Sequence, residues 1–125
     1  MATTNPPHEF PLERTVAAPQ TLASEPTAFV PPPLACDAHC HVFGPAKQHP
    51  FSPNRSYTPP DSGIDDFLTL QNRLGLSRAV FVQASCHGND NAAMLDAIQR
   101  GKGKFAGVAM IDGSSTDDDL AHLHA

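Results

Sequence analysis

The chain has 125 residues, of which 40% are hydrophobic and 17% charged, enough for one compact domain and no more. Eight Lys plus Arg against thirteen Asp plus Glu give a formal charge of -5 with no basic run, which excludes the footprint of a polyanion and so a nucleic-acid partner. No stretch approaches the roughly 20 apolar residues of a membrane span, and the first residues carry neither the basic nor the apolar region of a signal peptide, so a cytoplasmic protein with no membrane partner is the expectation.

Residues 1–33 form the first unit. They hold eight of the thirteen prolines, including Pro31-Pro32-Pro33, and show neither helical nor strand periodicity. A segment so rich in proline supplies no backbone ladder, so it reads as an extended, solvated arm or as a strap lying across the rest of the fold. Residues 34–125 follow a different grammar. Leu34 to Val42 reads as a strand, with Asp37, His39 and His41 on one face and Cys36, Ala38 and Cys40 on the other. Phe43 to Ser62 is a proline-punctuated loop, long enough to carry function.

Beyond that loop Ile64, Phe67, Leu68, Gln71 and Leu74 mark one side of a helix, with Ser62 as its candidate cap, Asp65 and Asp66 in its first turn and Gly75 as its stop. Ala79 to Ala84 is a short apolar strand. Asn89 to Arg100 is a second helix, capped by Asn89 or Asp90, with Ala92, Leu95 and Ile98 inward. Phe105 to Ile111 is a third strand, and Ser115 or Thr116 caps a third helix that opens on Asp117, Asp118 and Asp119. Alternating strands and helices, with strands apolar throughout, predict an α/β fold with parallel strands covered by helices. Three such units read as the first part of something larger, since a barrel of eight takes about 250 residues.

Chemistry concentrates where strands end. His39 and His41 point the same way at the carboxyl end of the first strand, where parallel α/β folds bind ligands. Two imidazoles there either bind a divalent ion such as zinc or manganese or donate hydrogen bonds to a carbonyl oxygen, and the spacing alone does not choose. The run Val82-Gln83-Ala84-Ser85-Cys86-His87-Gly88-Asn89-Asp90-Asn91 ends a strand in hydroxyl, thiol and imidazole groups. Ser85 and the free N–H groups near Asn89 to Asn91 suit an anionic oxygen or simply cap the turn. Arg55 and Tyr57 offer a cation and a phenol to an acidic ligand from the long loop. A Cys86–His87 nucleophile dyad is disfavoured, because adjacent strand-end side chains diverge. A structural zinc site is disfavoured too, because Cys36 and Cys40 face away from the histidines and no C-x-x-C pair exists. The three cysteines read as reduced thiols.

The segments Cys36-Asp37-Ala38-His39-Cys40-His41-Val42-Phe43-Gly44-Pro45, Arg55-Ser56-Tyr57-Thr58-Pro59, Val82 to Asn91 and Gly107 to Asp112 together resemble the opening third of the amidohydrolase superfamily. Within it the likeness is to lactonases that open carboxylated rings such as 2-pyrone-4,6-dicarboxylate in bacterial breakdown of lignin-derived aromatics. H-x-H is shared across the superfamily, whereas the VQ-x-S-C-H-G-x-D-N run is far more specific. The resemblance implies the first three βα units of a (β/α)8 TIM barrel and a hydrolase acting on a small anionic, carboxylated substrate. It implies that His39 and His41 polarise the lactone carbonyl without a required divalent metal, and that Tyr57 and Ser85 hold the substrate carboxylates. The remaining machinery of such an enzyme is expected beyond Ala125. Two other readings stand beside it: a metal-dependent amidohydrolase in which His39 and His41 bind zinc or manganese, and an inactive fragment that associates through its uncovered sheet edges.

Overall fold

The structure, a computed structural model, describes residues 15–17 and 28–124. Most of the arm expected over 1–33 therefore lies outside the described residues. Its described residues touch the fold: Thr15 pairs with Thr58 as a parallel bridge, the Val16 N–H donates to the Thr58 carbonyl at 3.2 Å, and Pro31 lies against Gly75.

Three strands, β1 (Cys36–Cys40), β2 (Arg78–Val82) and β3 (Phe105–Val108), form a parallel sheet in the order β1-β2-β3. Helices α1 (Ile64–Leu74), α2 (Ala92–Arg100) and α3 (Asp117–His124) follow the strands in turn, with a short 3-10 turn (Ser85–His87) between β2 and α2. The alternating α/β order and the parallel pairing predicted from the apolar strands are both present.

The core lies between the sheet and helices α1 and α2. Ala79, Phe81 and Phe105 from the strands meet Phe67 from α1 and Ala93, Met94 and Ala97 from α2, all buried. Phe67, Phe81 and Phe105 form an edge-to-face triad with ring centroids 4.8, 5.9 and 5.3 Å apart. Such aromatic pairs add about 0.5–1.5 kcal/mol each beyond the area they bury. At Gly107 the backbone of β3 is approached so closely that a Cβ would lie 2.6 Å from Ile98 Cδ1 and 3.0 Å from Met94 Sδ, so α2 packs on bare backbone.

The opposite face of the sheet is open. Ala106 and Val108 are exposed and Val80 and Val82 half-buried, which leaves an apolar surface with no helix layer over it among the described residues.

Helix ends follow local chemistry with one correction. Ser62 does not cap α1, because its backbone N–H and carbonyl both pair with Phe43 at 2.8 Å, closing the base of the long loop. The cap is Gly63, whose N–H donates to the Asp66 carboxylate at 3.1 Å. Gly75 ends the helix with a left-handed φ of 69°, a conformation only glycine adopts cheaply. At α3, Thr116 and Asp119 make a reciprocal cap: the Asp119 N–H donates to Thr116 Oγ1 at 3.2 Å and the Thr116 N–H to Asp119 Oδ2 at 2.8 Å.

Candidate active site

The face assignment on β1 changes within the strand. Asp37 pairs with Ala79 and Cys40 with Phe81, so three residue steps of β1 run beside two of β2, which is a bulge. Register partners in a parallel pair project from the same face, so Asp37 and Cys40 both lie on the helix side with Ala79 and Phe81, and Cys36 lies with Arg78 on the open side. The expected shared face of Asp37 with His39 and His41 is therefore broken, as is that of Cys36 with Cys40. The Asp37 carboxylate instead braces the bulge, accepting the His39 N–H at 3.1 Å.

Past the bulge the pairing of the two histidines is kept. Both side chains are exposed, their ring centroids are 5.1 Å apart and their planes meet at 80°. His41 Nδ1 lies 2.8 Å from the Val82 carbonyl oxygen at the end of the neighbouring strand. A carbonyl only accepts, so Nδ1 carries the proton and Nε2 is the atom left for chemistry. In the neutral ring Nε2 presents a lone pair, and in the imidazolium it presents an N–H. Cys40, between the two rings, turns the other way: its thiol donates to the Val80 carbonyl at 3.4 Å, and burial, with the nearby Asp37 charge, pushes its pKa up to about 12.

Tyr57 and Ser85 meet across the loop–turn junction. The Ser85 side chain favours the ionised form of the Tyr57 phenol, and the phenol and the Cys86 thiol act on each other. Burial raises the Tyr57 phenol above its ordinary value, and the Ser85 side chain offsets part of that rise. Burial likewise raises Cys86, with the phenol and the Arg55 charge acting in the opposite direction.

His87 makes the disfavoured dyad structurally incompatible with its role. Its ring is buried, its Nε2 accepts the Gly44 N–H at 3.2 Å and its Nδ1 donates to the Pro50 carbonyl at 3.2 Å, so both nitrogens are committed to holding the long loop. Gln83 and Asn91 are scaffold of the same kind, which the sequence did not separate from candidate ligand groups. The Gln83 side-chain amide donates to the carbonyls of Gly88 and Asp90 at 2.9 and 2.8 Å. Asn91 pairs with Met110 in both directions, its amide donating to the carbonyl and its oxygen accepting the N–H, each at 2.9 Å.

An anion seat at the start of α2 is not what the structure builds there. The Ala92 N–H already donates to the Asp90 carboxylate at 3.1 Å, and Asp90, Asp112 and Asp119 all line the cavity of about 350 Å³ beside it. Three carboxylates make that cavity repellent to anions.

Two imidazoles fall short of the three protein ligands of a catalytic zinc. Among the described residues no group of three His, Cys, Asp or Glu side chains converges to hold a metal ion. The described residues do not by themselves make the zinc or manganese site of the alternative, metal-dependent reading.

Comparison with known proteins extends what this geometry suggests. The chain is 50% identical over 93 residues to a 2-pyrone-4,6-dicarboxylate hydrolase of Comamonas testosteroni, covering 74% of this chain and 30% of that protein. It is 44% identical over 86 residues to a 4-sulfomuconolactone hydrolase of Hydrogenophaga intermedia, covering 69% and 28%. The fold superposes with a TM-score of 0.66 on a crystal structure of a probable 2-pyrone-4,6-dicarboxylic acid hydrolase from Acinetobacter baumannii with citric acid bound, at 28% identity over 73% of this chain and 34% of that one. The chain thus spans about a third or less of the length of these relatives. The amidohydrolase family model matches residues 36–125, from the first residue of β1 onward, and by that match and by its lactone-hydrolase relatives the chain belongs to the amidohydrolase family.

Proposed function

We propose that this chain is the N-terminal part of a hydrolase that opens a carboxylated lactone such as 2-pyrone-4,6-dicarboxylate by water attack on the ring carbonyl, on the first three units of a (β/α)8 barrel. The observation that carries the reading is the His39–His41 pair, 5.1 Å apart on the open face of the sheet at the carboxyl end of β1. That face becomes a barrel interior once further strands close it.

Water adds to the carbonyl carbon and the ring C–O bond breaks, leaving a carboxylate and an enol. The residues of this chain act on the carbonyl oxygen. Since His41 Nδ1 is spent on Val82, His41 donates to that oxygen only as the imidazolium, through Nε2–H. One well-placed donor to a developing oxyanion contributes about 3 kcal/mol. Tyr57 and Ser85, which act on each other electrostatically, orient the ring carboxylates, so their loss raises KM more than it lowers kcat.

The test follows loss of pyrone absorbance with the chain alone and with the chain mixed with the part of the Comamonas testosteroni relative beyond the matched region. Hydrolysis that needs the partner piece and drops at least 100-fold in His41→Asn is the expected result. Equal activity of wild type and His41→Asn overturns the assignment of the pair.

A further inference from the structure

We infer that Arg55 is a positioning residue for Tyr57: its guanidinium clamps the turn from Ser52 to Thr58 and so fixes where the phenol meets Ser85. The inference rests on the reading that Tyr57 and Ser85 hold a substrate carboxylate, and its test is independent of that reading.

Arg55 Nε donates to Thr58 Oγ1 at 2.8 Å and Nη1 donates to the Ser52 carbonyl at 3.0 Å, so one planar group ties together the two ends of the turn that carries Tyr57. The Arg55 N–H donates to the same Ser52 carbonyl at 3.2 Å, and the guanidinium lies 5.9 Å from the centre of the Phe51 ring. Phe51 in turn packs at a tilt of 47°, ring centres 4.9 Å apart, against the buried His87, and the Ser52 N–H donates to the Cys86 carbonyl at 2.8 Å. The clamp is thereby anchored on the turn that carries Ser85. The fork geometry is what makes the tie: lysine supplies charge without two donors held in one plane. The sequence offers Arg55 as a cation for an acidic ligand; in the structure two of its guanidinium nitrogens are committed to its own loop.

Tyr57 is the only tyrosine and the chain has no tryptophan, so absorbance near 295 nm titrates this phenol alone. Loss of the clamp lets water reach the phenol and brings its ionisation midpoint down toward that of free tyrosine. Loss of a positive charge alone would move the midpoint up. The experiment compares the wild-type chain with Arg55→Gln, Arg55→Lys and Thr58→Val, each checked by circular dichroism. A fall of at least half a pH unit in Arg55→Gln, a smaller fall in Thr58→Val and incomplete rescue by lysine are expected. An unchanged or raised midpoint in folded Arg55→Gln overturns the inference; should that variant not fold, an unchanged midpoint in Thr58→Val overturns it instead. Citrate, transparent at these wavelengths, is titrated separately into wild type: absence of any change in tyrosine fluorescence counts against carboxylate binding at Tyr57 and leaves the positioning role as the first arm found it.

Discussion

His87 spends both ring nitrogens on one task, and the cost of removing it follows from that. In His87→Ala the buried Gly44 N–H loses its partner at a cost of about 1–3 kcal/mol, the exposed Pro50 carbonyl turns to water, and the volume of the buried ring is left empty. Urea unfolding is expected to show a loss of 2–5 kcal/mol, and a loss under 1 kcal/mol would contradict this bonding scheme. The cysteines separate just as sharply. Cys36 is exposed, whereas burial raises both Cys40, to about 12, and the fully buried Cys86. Thiolate is the reactive form, so iodoacetamide at pH 8 is expected to modify Cys36 and spare the other two, read by peptide mass; equal labelling of Cys40 refutes its orientation. At this scale the sequence named the chemically capable residues but not their use. Gln83, His87 and Asn91 make the VQ-x-S-C-H-G-x-D-N run distinctive, and all three turn out to bond backbone. The partners of His87 and Asn91 at Gly44, Pro50 and Met110 are brought near only by the fold, so no local pattern could show those bonds, whereas Gln83 bonds Gly88 and Asp90 within the run itself.

Elements whose identity depends on local signals were legible from sequence, and those set by pairing were not. Helix α1 runs from Ile64 to Leu74 as its apolar spacing and Gly75 predict, and α3 takes the Thr116 cap. Helix α2 begins at Ala92 instead of Asn89, because the hydrogen bonds of Gln83 and Asn91 draw the preceding residues into a turn. The bulge in β1 had no signature either, since a strict alternation over Asp37, His39 and His41 looks the same with or without one. The long loop owes its shape to Gly44, where φ is 70° and a Cβ would sit 2.4 Å from Asp61 Oδ1. That carboxylate is not free to retreat, as it accepts the Ala46 N–H at 3.0 Å. Gly44→Ala is therefore expected to cost about 1–3 kcal/mol from the left-handed backbone and the clash together. It should also displace the bond to His87, seen as faster exchange of the Gly44-position amide; unchanged exchange and stability would rule out the close approach.

For the molecule as a whole, two properties follow from what is buried and what is not. Cys40, Cys86 and Tyr57 are all raised by burial from ordinary values of 9.0, 9.0 and 10.0, so the folded chain keeps protons that the unfolded chain releases. The stability they give is whole below pH 9 and is lost as pH rises through the folded values, up to about 12 for Cys40. Asp112 and Asp119 are lowered by hydrogen bonds from Ser114 and Thr116, so their share is present above the ordinary 3.8 and lost as pH falls through the folded values. Both are fully exposed, which makes the acid limb the shallower one. Thermal melts across pH should show a plateau with a steeper alkaline fall, and a symmetric profile would deny the buried thiols their part. The second property concerns the open face. Val108 is 52% exposed and Ala106 is exposed beside the half-buried Val80 and Val82, and β3 ends the sheet with no further strand among the described residues. An apolar face next to an unpaired edge is where sheets add strands, so the chain by itself is expected to self-associate, with a sedimentation coefficient that rises with concentration. Val108→Lys places a charge on that face without touching the Phe67–Phe81–Phe105 core, so it should shift the distribution toward monomer and leave the helical signal intact. A wild-type chain that sediments as a monomer at every concentration and melts sharply would mean that something among its own residues already covers this surface.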